Sequence, residues 1–233
     1  MSKDSLEIAA RRAAPEADVE RALDAMQAGG VAILPLDVAY AVVGTTPQAI
    51  RTIFTVKQRS YDKPSGMFAT WEMSREIHEM SEEHHAIAEI IVRDYDLPFS
   101  IVAPFRAVNP VLSAVDPFVM QSSSKLGTLD MLINAGPWHT AMAKLAHARG
   151  IAVFGSSANR SLTGSKYRLE DIEPEVRAAA AIEIDGGTAK YINDQGKSST
   201  IIDFRDFHLV RRGVCCDQLI TIFHDRFGID LKD

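Results

Sequence analysis

Apolar and polar positions along the chain follow two spacings, one typical of helices and one typical of buried strands. After Asp18, apolar residues recur at helical spacing from Val19 to Met26 and stop at Gly29-Gly30, which predicts an amphipathic helix capped by Asp18. Short apolar runs predict buried strands; they are VAILPL, YAVVG, GMFAT, FSIVAPF, IAVFG, AIEIDGG, STIIDF and FHLVRRGV. The chain is therefore predicted to interleave helices and strands.

Helical patterns fill the intervals between the predicted strands. They begin at Pro47, run from about Trp71 to Arg93, begin again at Pro137, run from about Leu169 to Ala180, and close the chain as DQLITIFHDRF. STIIDF and HLVRRG are consecutive strands, which disfavours a strictly parallel, doubly wound sheet. We predict an α/β fold whose sheet is twisted, mixed and largely open, with flanking helices. Residues 1–15 are predicted to form a flexible arm, and residues 16–233 a single domain.

Composition narrows the class of protein. Of the 233 residues, 46% are hydrophobic, which is enough for a substantial core. The 25 basic and 31 acidic side chains give a net charge of −6, so contact with RNA would require a local basic patch. The N-terminal segment lacks the apolar stretch of a signal peptide, and no apolar run is long enough to span a bilayer. We therefore expect a cytoplasmic protein without a membrane partner.

Spacings that indicate metals or disulfides are missing from the sequence. Cys215 and Cys216 are adjacent, which excludes a disulfide framework and a CxxC zinc knuckle. The histidines show no HExxH or related spacing. We predict no metal site.

Three cations follow the second predicted helix in the segment VKQRSYDKP. Lys57, Arg59 and Lys63 lie at the junction of a helix and a loop. An arginine binds phosphate or carboxylate with two parallel hydrogen bonds, and lysines add mobile point charges, so this segment suits a polyanion such as a triphosphate. The alternative is a solvated helix end, where the helix dipole favours cations in any case.

A loop of small polar residues, SSANRS, follows the predicted strand IAVFG. Ser157 and Asn159 lie just beyond the carboxyl end of that strand, where open α/β sheets bind ligands. A polar turn that caps the next helix is an equally valid interpretation. The loop does not match the G-x-S-x-G nucleophile elbow of serine hydrolases, because Asn159 replaces the last glycine.

A second segment, Gly196-Lys197-Ser198, resembles the end of a P-loop. It does not match that motif, because Tyr191 occupies the position of the first glycine.

Six segments in order resemble one known family. PLDVAY, KQRSYDKP, PFSIVAPF, SSANRS, STIIDF and LVRRG, spread over about residues 18–215, are similar to the motifs T-D-T-V-Y-G, K-x-R, P-G-P-x-T, S-x-A-N-x-S-G, S-T-[IV]-[IV]-D and L-R-x-G of the YrdC-type threonylcarbamoyl-AMP synthases. The resemblance implies a YrdC-like fold. It also implies a nucleotidyltransferase that converts L-threonine, bicarbonate and ATP into threonylcarbamoyl-AMP and pyrophosphate for tRNA threonylcarbamoyladenosine modification.

The same resemblance implies roles for individual residues. It places Lys57 and Arg59 as catalytic residues, Lys63, Ser157, Asn159, Ser199 and Arg211 at the nucleotide, and Asp37 and Tyr40 in the amino-acid pocket. The implied cofactors are ATP and Mg²⁺, and the implied partners are ATP and a small amino acid. The resemblance sets no oligomeric state.

Three departures from the family motifs bear on the substrate. Leu36 and Val38 replace the two threonines of T-D-T-V-Y-G, so two hydroxyl groups are lost. LDMLINAGP carries Met131 and Leu132 where the family has an arginine. A site that loses such groups changes what it can select, which leaves the acceptor amino acid open.

A binding function without adenylation is the second hypothesis. In that interpretation the fold is kept in a nucleotide-binding or double-stranded-RNA-binding protein. A concave face with Lys57, Arg59, Lys63, Arg211 and Arg212 would contact the phosphate backbone.

Overall fold

A computed structural model describes residues 14–233 of the protein. The predicted arm, residues 1–15, lies almost entirely outside the described residues. Within the described part, none of the helices has both the length and the apolar character needed to cross a bilayer.

Helices and strands alternate along the described chain. The helices are α1 (Glu16–Gln27), α2 (Pro47–Val56), α3 (Trp71–Ile77), α4 (Glu82–Tyr95), α5 (Pro110–Ser113), α6 (Pro117–Ser123), α7 (Pro137–Ala148), α8 (Pro174–Arg177) and α9 (Cys216–Phe227), with a 3₁₀ turn at Leu169–Asp171. The strands are β1 (Ala32–Leu34), β2 (Ala41–Gly44), β3 (Gly66–Ala69), β4 (Phe99–Pro104), β5 (Ser124–Lys125), β6 (Thr128–Ile133), β7 (Phe154–Ser157), β8 (Ile182–Glu183), β9 (Ile201–Asp203) and β10 (His208–Arg211).

The strands of residues 14–233 form one ten-stranded sheet. Nine of them are ordered β10-β9-β4-β6-β3-β7-β2-β1-β8, and β5 pairs with β6. The pairs β1–β8, β3–β6 and β4–β9 are parallel, and the other pairs are antiparallel. The sheet is mixed, as the consecutive strands β9 and β10 predict, and the α/β prediction is confirmed. The single-domain boundary at residue 16 stays a prediction.

Short polar caps determine where several helices begin. Thr46 Oγ1 accepts a hydrogen bond from the backbone N–H of Ala49 at 3.3 Å, and Pro47 occupies the first turn of α2. The helical stretch predicted from about Trp71 to Arg93 contains two helices. It is divided into α3 and α4 because Ser81 caps a new helix and His78 adopts an extended conformation.

Two further expectations about helices need correction. Helix α1 begins at Glu16 after Pro15, so Asp18 lies in its first turn and pairs with Arg21 at 3.0 Å instead of capping the helix. The helix predicted from Leu169 to Ala180 is only a 3₁₀ turn followed by the four residues of α8. Proline at position 174 begins a new turn and prevents one continuous helix.

Two glycines lie side by side where β7 crosses the middle of the sheet. Gly66 of β3 pairs with Gly155 of β7. A Cβ atom at Gly155 would lie 2.2 Å from the carbonyl oxygen of Val42 on β2, so only glycine fits there. A Cβ atom at Gly66 would meet its nearest atom, Oδ2 of Asp130, at 3.5 Å. The two positions therefore differ sharply in how much space they offer.

Replacing Gly155 with alanine is expected to lower the free energy of unfolding by about 1–3 kcal/mol, the usual cost of overpacking. Gly66→Ala is the matched control and should stay within about 1 kcal/mol of wild type, since its Cβ makes an ordinary contact. Urea denaturation measures both variants. Wild-type stability of Gly155→Ala would contradict the close approach of β2 and β7.

Candidate functional site

A cavity of about 730 Å³ lies over the centre of the sheet. Two rows of residues, one from each of several neighbouring strands, form its floor. The first row is Gly155, Gly66, Asp130, Val102 and Asp203; the second is Phe68, Leu132, Ser100, Ile201 and Arg211. A cavity of this size fits a nucleotide together with a small molecule.

Arg59 projects into this cavity from the loop after α2. Its Nε donates to the carbonyl oxygen of Lys63 at 2.9 Å, and its Nη2 donates to that of Pro64 at 2.8 Å. Burial, and next the charge of Arg211, lower the pKa of Arg59. Nη1 makes no hydrogen bond within the described residues, so two N–H groups remain for an anion. Lys63 is exposed at the rim of the cavity.

Arg211 reaches the cavity from β10 and is held by Ser199. Its Nε and Nη2 donate to the carbonyl oxygen of Ser199 at 3.0 and 2.7 Å, and Nη2 also contacts Ser199 Oγ at 2.9 Å. Ser199 is buried, and its hydroxyl lies 3.3 Å from that of Ser100. Arg211 itself is open to solvent in the cavity. The structure therefore brings Arg59, Arg211 and Ser199 together in one cavity, and their roles toward a nucleotide stay predictions.

Lys57 and Asn159 lie beneath the cavity instead of lining it. Lys57 is 1% exposed, and its Nζ donates to the backbone carbonyl oxygens of Ser157 and, at 2.6 Å, Asn159. The Asn159 side chain accepts from Ser157 Oγ at 2.5 Å. The predicted contact of Lys57 and Asn159 with the nucleotide stays a prediction. In this structure both residues support the end of β7, where Ser157 lines the cavity.

The two residues of the predicted amino-acid pocket lie in different places. Tyr40 lines the cavity, and its hydroxyl donates to Gly187 O at 2.8 Å and to Asp185 at 3.1 Å. Burial raises the pKa of Tyr40, so the hydroxyl stays protonated. Asp37 lines a separate cavity of about 20 Å³ beside Trp138. Its backbone N–H donates to Ala135 O at 2.8 Å, which fixes Asp37 away from the large cavity.

Sequence reasoning missed Asp130, an acidic residue in the floor of the cavity. Asp130 lies on β6 between Leu129 and Met131, both completely buried. The signal was present in the sequence, because a carboxylate within the apolar run TLDMLI is unusual and needs a reason. Its position beside the two arginines could be known only from the strand order.

The cavity suits phosphate better than a bound metal. Guanidinium groups, a rim lysine and serine hydroxyls provide donors for anionic oxygens. Among residues 14–233, no group of three carboxylate, histidine or cysteine side chains could hold a metal ion. The carboxylate of Asp203 accepts one hydrogen bond from the backbone N–H of Arg205, at 3.0 Å, and three from its guanidinium group, the shortest at 2.6 Å. ATP and Mg²⁺ stay predictions for this cavity.

Lys57→Met is expected to lower the free energy of unfolding by about 1–3 kcal/mol, because the buried carbonyl oxygens of Ser157 and Asn159 lose their donor. Lys63→Met, at an exposed lysine of the same segment, is the matched control and should retain wild-type stability.

Urea denaturation measures the difference in free energy of unfolding between wild type and Lys57→Met. The pH dependence of this difference provides a second measurement. Burial, and next the charge of Arg59, lower the pKa of Lys57 from 10.5 to about 7. Between these values the unfolded chain binds more protons than the folded one. The stability of wild type relative to Lys57→Met should therefore rise as pH increases from about 7 towards 10.5. A difference that stays flat or falls across this window would contradict the lowered pKa.

Comparison with solved structures identifies similar folds. The hypothetical protein smu.1377c from Streptococcus mutans UA159 matches with a TM-score of 0.75 and 18% identity, covering 90% of this chain and 92% of that one. E. coli YciO matches with a TM-score of 0.63 and 18% identity, covering 86% and 91%. P. abyssi Sua5, in complex with L-threonine, matches with a TM-score of 0.67 and 21% identity. The alignment covers 85% of this chain and 55% of Sua5.

Comparison of the sequence with protein families identifies the family of the chain. None of the curated protein sequences matches the chain. The model of the Sua5/YciO/YrdC family, described as Telomere recombination, matches residues 24–213 and so spans every cavity residue discussed above. The chain therefore belongs to the Sua5/YciO/YrdC family.

Proposed function

We propose that this protein is an ATP-dependent nucleotidyltransferase of the threonylcarbamoyl-AMP synthase type, which supplies a carbamoyl-adenylate of a small amino acid for tRNA modification. One observation carries the proposal. Three arginines line the cavity, and one of them, Arg205, is paired with Asp203. The hydrogen bonds of Arg59 and Arg211 to backbone oxygens fix the orientation of their guanidinium groups and leave Nη1 of each unused within the described residues. Family membership, and the complex of P. abyssi Sua5 with L-threonine, support the same assignment.

The proposed reaction needs positioned charges and no protein nucleophile. The amine of the amino acid combines with bicarbonate and releases water, which gives a carbamate. A carbamate oxygen then attacks the α-phosphorus of ATP, and the bond to the β-phosphate breaks to release pyrophosphate. Arg59 and Arg211 would neutralise the charge that develops on the phosphate oxygens, and Mg²⁺ bound to the nucleotide would share that charge.

Lys57 acts in this proposal as a positioning residue. Its Nζ joins the end of α2, which leads into the Arg59 loop, to the end of β7, which carries Ser157. Misplacing one side of the cavity relative to the other would disturb the line between the carbamate oxygen and the phosphorus. Small errors in that alignment reduce rates strongly.

The cavity wall is apolar at the two positions where the family motif T-D-T-V-Y-G has threonines. Leu36 and Val38 line the cavity there, and the nearby Tyr40 hydroxyl already donates to Gly187. This wall offers few groups that could select a substrate hydroxyl. We therefore expect an acceptor with an aliphatic side chain to compete well with threonine.

The alternative of binding along an RNA backbone is less well supported. It requires several free cations on one face, yet Lys57 is buried and Arg212 pairs with Asp233 at 2.5 Å. Backbone binding would weaken steeply with salt. Binding of ATP in a cavity should instead depend on Arg59 and Arg211.

Pyrophosphate release is the direct test. The protein is incubated with ATP, Mg²⁺ and bicarbonate, and each amino acid is added in turn. We expect release that requires both bicarbonate and one amino acid, and that falls about 100-fold or more in Arg59→Ala because a charge-stabilising donor is lost. Arg226→Ala, at an exposed arginine of α9 outside the cavity, is the matched control and should keep wild-type activity.

Either of two results would count against the proposal. The first is the same release from Arg59→Ala and wild type, which would indicate a contaminating enzyme that cleaves ATP between its α- and β-phosphates. The second is no release with any amino acid from protein that binds ATP. That second result, together with RNA binding that weakens steeply with salt, would favour the RNA-binding alternative.

A further inference from the structure

Asp130 is one of two carboxylates in the floor of the cavity, and the other, Asp203, is paired with Arg205. Asp130 lies on the cavity side of β6, on the same face as Leu132 two residues further on. Leu132 and Met131 of the same strand are apolar, and none of the residues of β6, Thr128–Ile133, is a cation. Strand β6 therefore presents a carboxylate, and no cation, to the cavity.

The carboxylate of Asp130 is poorly satisfied by the protein itself. Its Oδ1 is buried and accepts no hydrogen bond from the described residues. The Nε and Nη2 groups of the nearby arginines donate to other residues, those of Arg59 to Lys63 and Pro64 and those of Arg211 to Ser199. A buried acceptor without a donor costs free energy that a ligand can recover.

Asp130 and the two arginines, Arg59 and Arg211, thus bring charges of both signs into one cavity without pairing with one another. Burial raises the pKa of Asp130 above its usual value, and the charges of Arg211 and Arg59, together with the hydroxyl of Ser100, partly offset that rise. These groups are therefore near enough to interact. A ligand between them could satisfy the carboxylate and both guanidiniums at once, which requires that the ligand carry both a cationic and an anionic group.

Space beside Asp130 is left by a glycine. Gly66 lies on the neighbouring strand β3, and a Cβ atom there would lie 3.5 Å from Oδ2 of Asp130. The backbone of Gly66 does not need a glycine, since its φ is not positive and no contact excludes a methyl group. The absence of a side chain instead opens the cavity next to the carboxylate.

We propose that Asp130 binds the ammonium group of a zwitterionic amino acid, while the guanidiniums of Arg59 and Arg211 bind anionic groups of the same amino acid and of the nucleotide. This inference rests on the proposed function, because it names the part of the cavity that holds the acceptor. When the amine reacts, the proton that leaves the ammonium group passes to the carboxylate of Asp130, so R–NH₃⁺ and COO⁻ become R–NH₂ and COOH. A divalent cation fits less well, because the charges of Arg59 and Arg211 act on Asp130 and the second floor carboxylate, Asp203, is already paired with Arg205.

Isothermal titration calorimetry without ATP tests the inference apart from turnover. The probes are L-threonine and L-valine, each compared with its N-acetyl derivative, which keeps the carboxylate but has no ammonium group. We expect wild type to bind at least one free amino acid, and its N-acetyl derivative at least about tenfold more weakly, since a charge-assisted hydrogen bond is lost.

Three variants make the test specific to Asp130. Asp130→Asn keeps the shape and should weaken binding of the free amino acid about tenfold or more, while ATP–Mg²⁺ binding stays the same. Gly66→Ala keeps the carboxylate, fills the space beside it and should also weaken amino-acid binding. Asp62→Asn is the matched control, because Asp62 is an exposed carboxylate at the rim whose side chain accepts from Ser60 at 3.0 Å. It should bind like wild type.

Several outcomes would overturn the inference. They are equal binding of free and N-acetylated amino acids, wild-type affinity in Asp130→Asn, loss of ATP–Mg²⁺ binding in Asp130→Asn, and no amino-acid binding by wild type. A result that refutes the proposed enzyme activity can be distinguished from these four outcomes. Amino-acid binding that depends on Asp130, without pyrophosphate release, would refute the enzyme and leave the role of Asp130 intact.

Discussion

The ammonium group of Lys57 holds together the two chain segments that define the candidate site. Lys57 is the residue that follows α2, and its ammonium group donates to backbone oxygens at the end of β7. The loop with Arg59 begins on one side of this contact and the serines of β7 lie on the other. A buried lysine that donates to three oxygens is costly to remove, because those oxygens lose their donor in a place that water cannot reach. The shape of the cavity therefore depends on an interaction that lies outside it.

Two arginines of the cavity, Arg59 and Arg211, are oriented by backbone oxygens and not by carboxylates. Arg59 and Arg211 each give two N–H groups to the chain, so their charge is not neutralised by a salt bridge with those partners. Such an arrangement orients a guanidinium before a ligand arrives and leaves its charge available. Asp130 remains apart from these bonds, which gives the cavity a separate negative region. The mixture of charges distinguishes it from a surface built only to contact a phosphate backbone.

The sheet explains why residues far apart in sequence meet. Strands β3, β6, β4 and β9 are neighbours, so Gly66, Asp130, Val102 and Asp203 form one row although they span most of the chain. Glycine at position 155 allows β7 to lie close against β2. Because the row is fixed by backbone pairing, the chemistry of the floor is set by which side chain each strand presents. A carboxylate in β6 changes that chemistry without changing the fold.

Sequence alone determined the class of fold, most of the strands and the segments that carry Arg59, Ser157, Ser199 and Arg211, because apolar periodicity and local motifs are properties of neighbouring residues. It could not divide α3 from α4 correctly, since the break depends on how His78 packs. Only the tertiary structure decided that Lys57 turns inward, that Asp37 faces a different cavity and that Asp130 lies beside the arginines. Those outcomes depend on strand order and burial, which bring together groups that no local pattern connects.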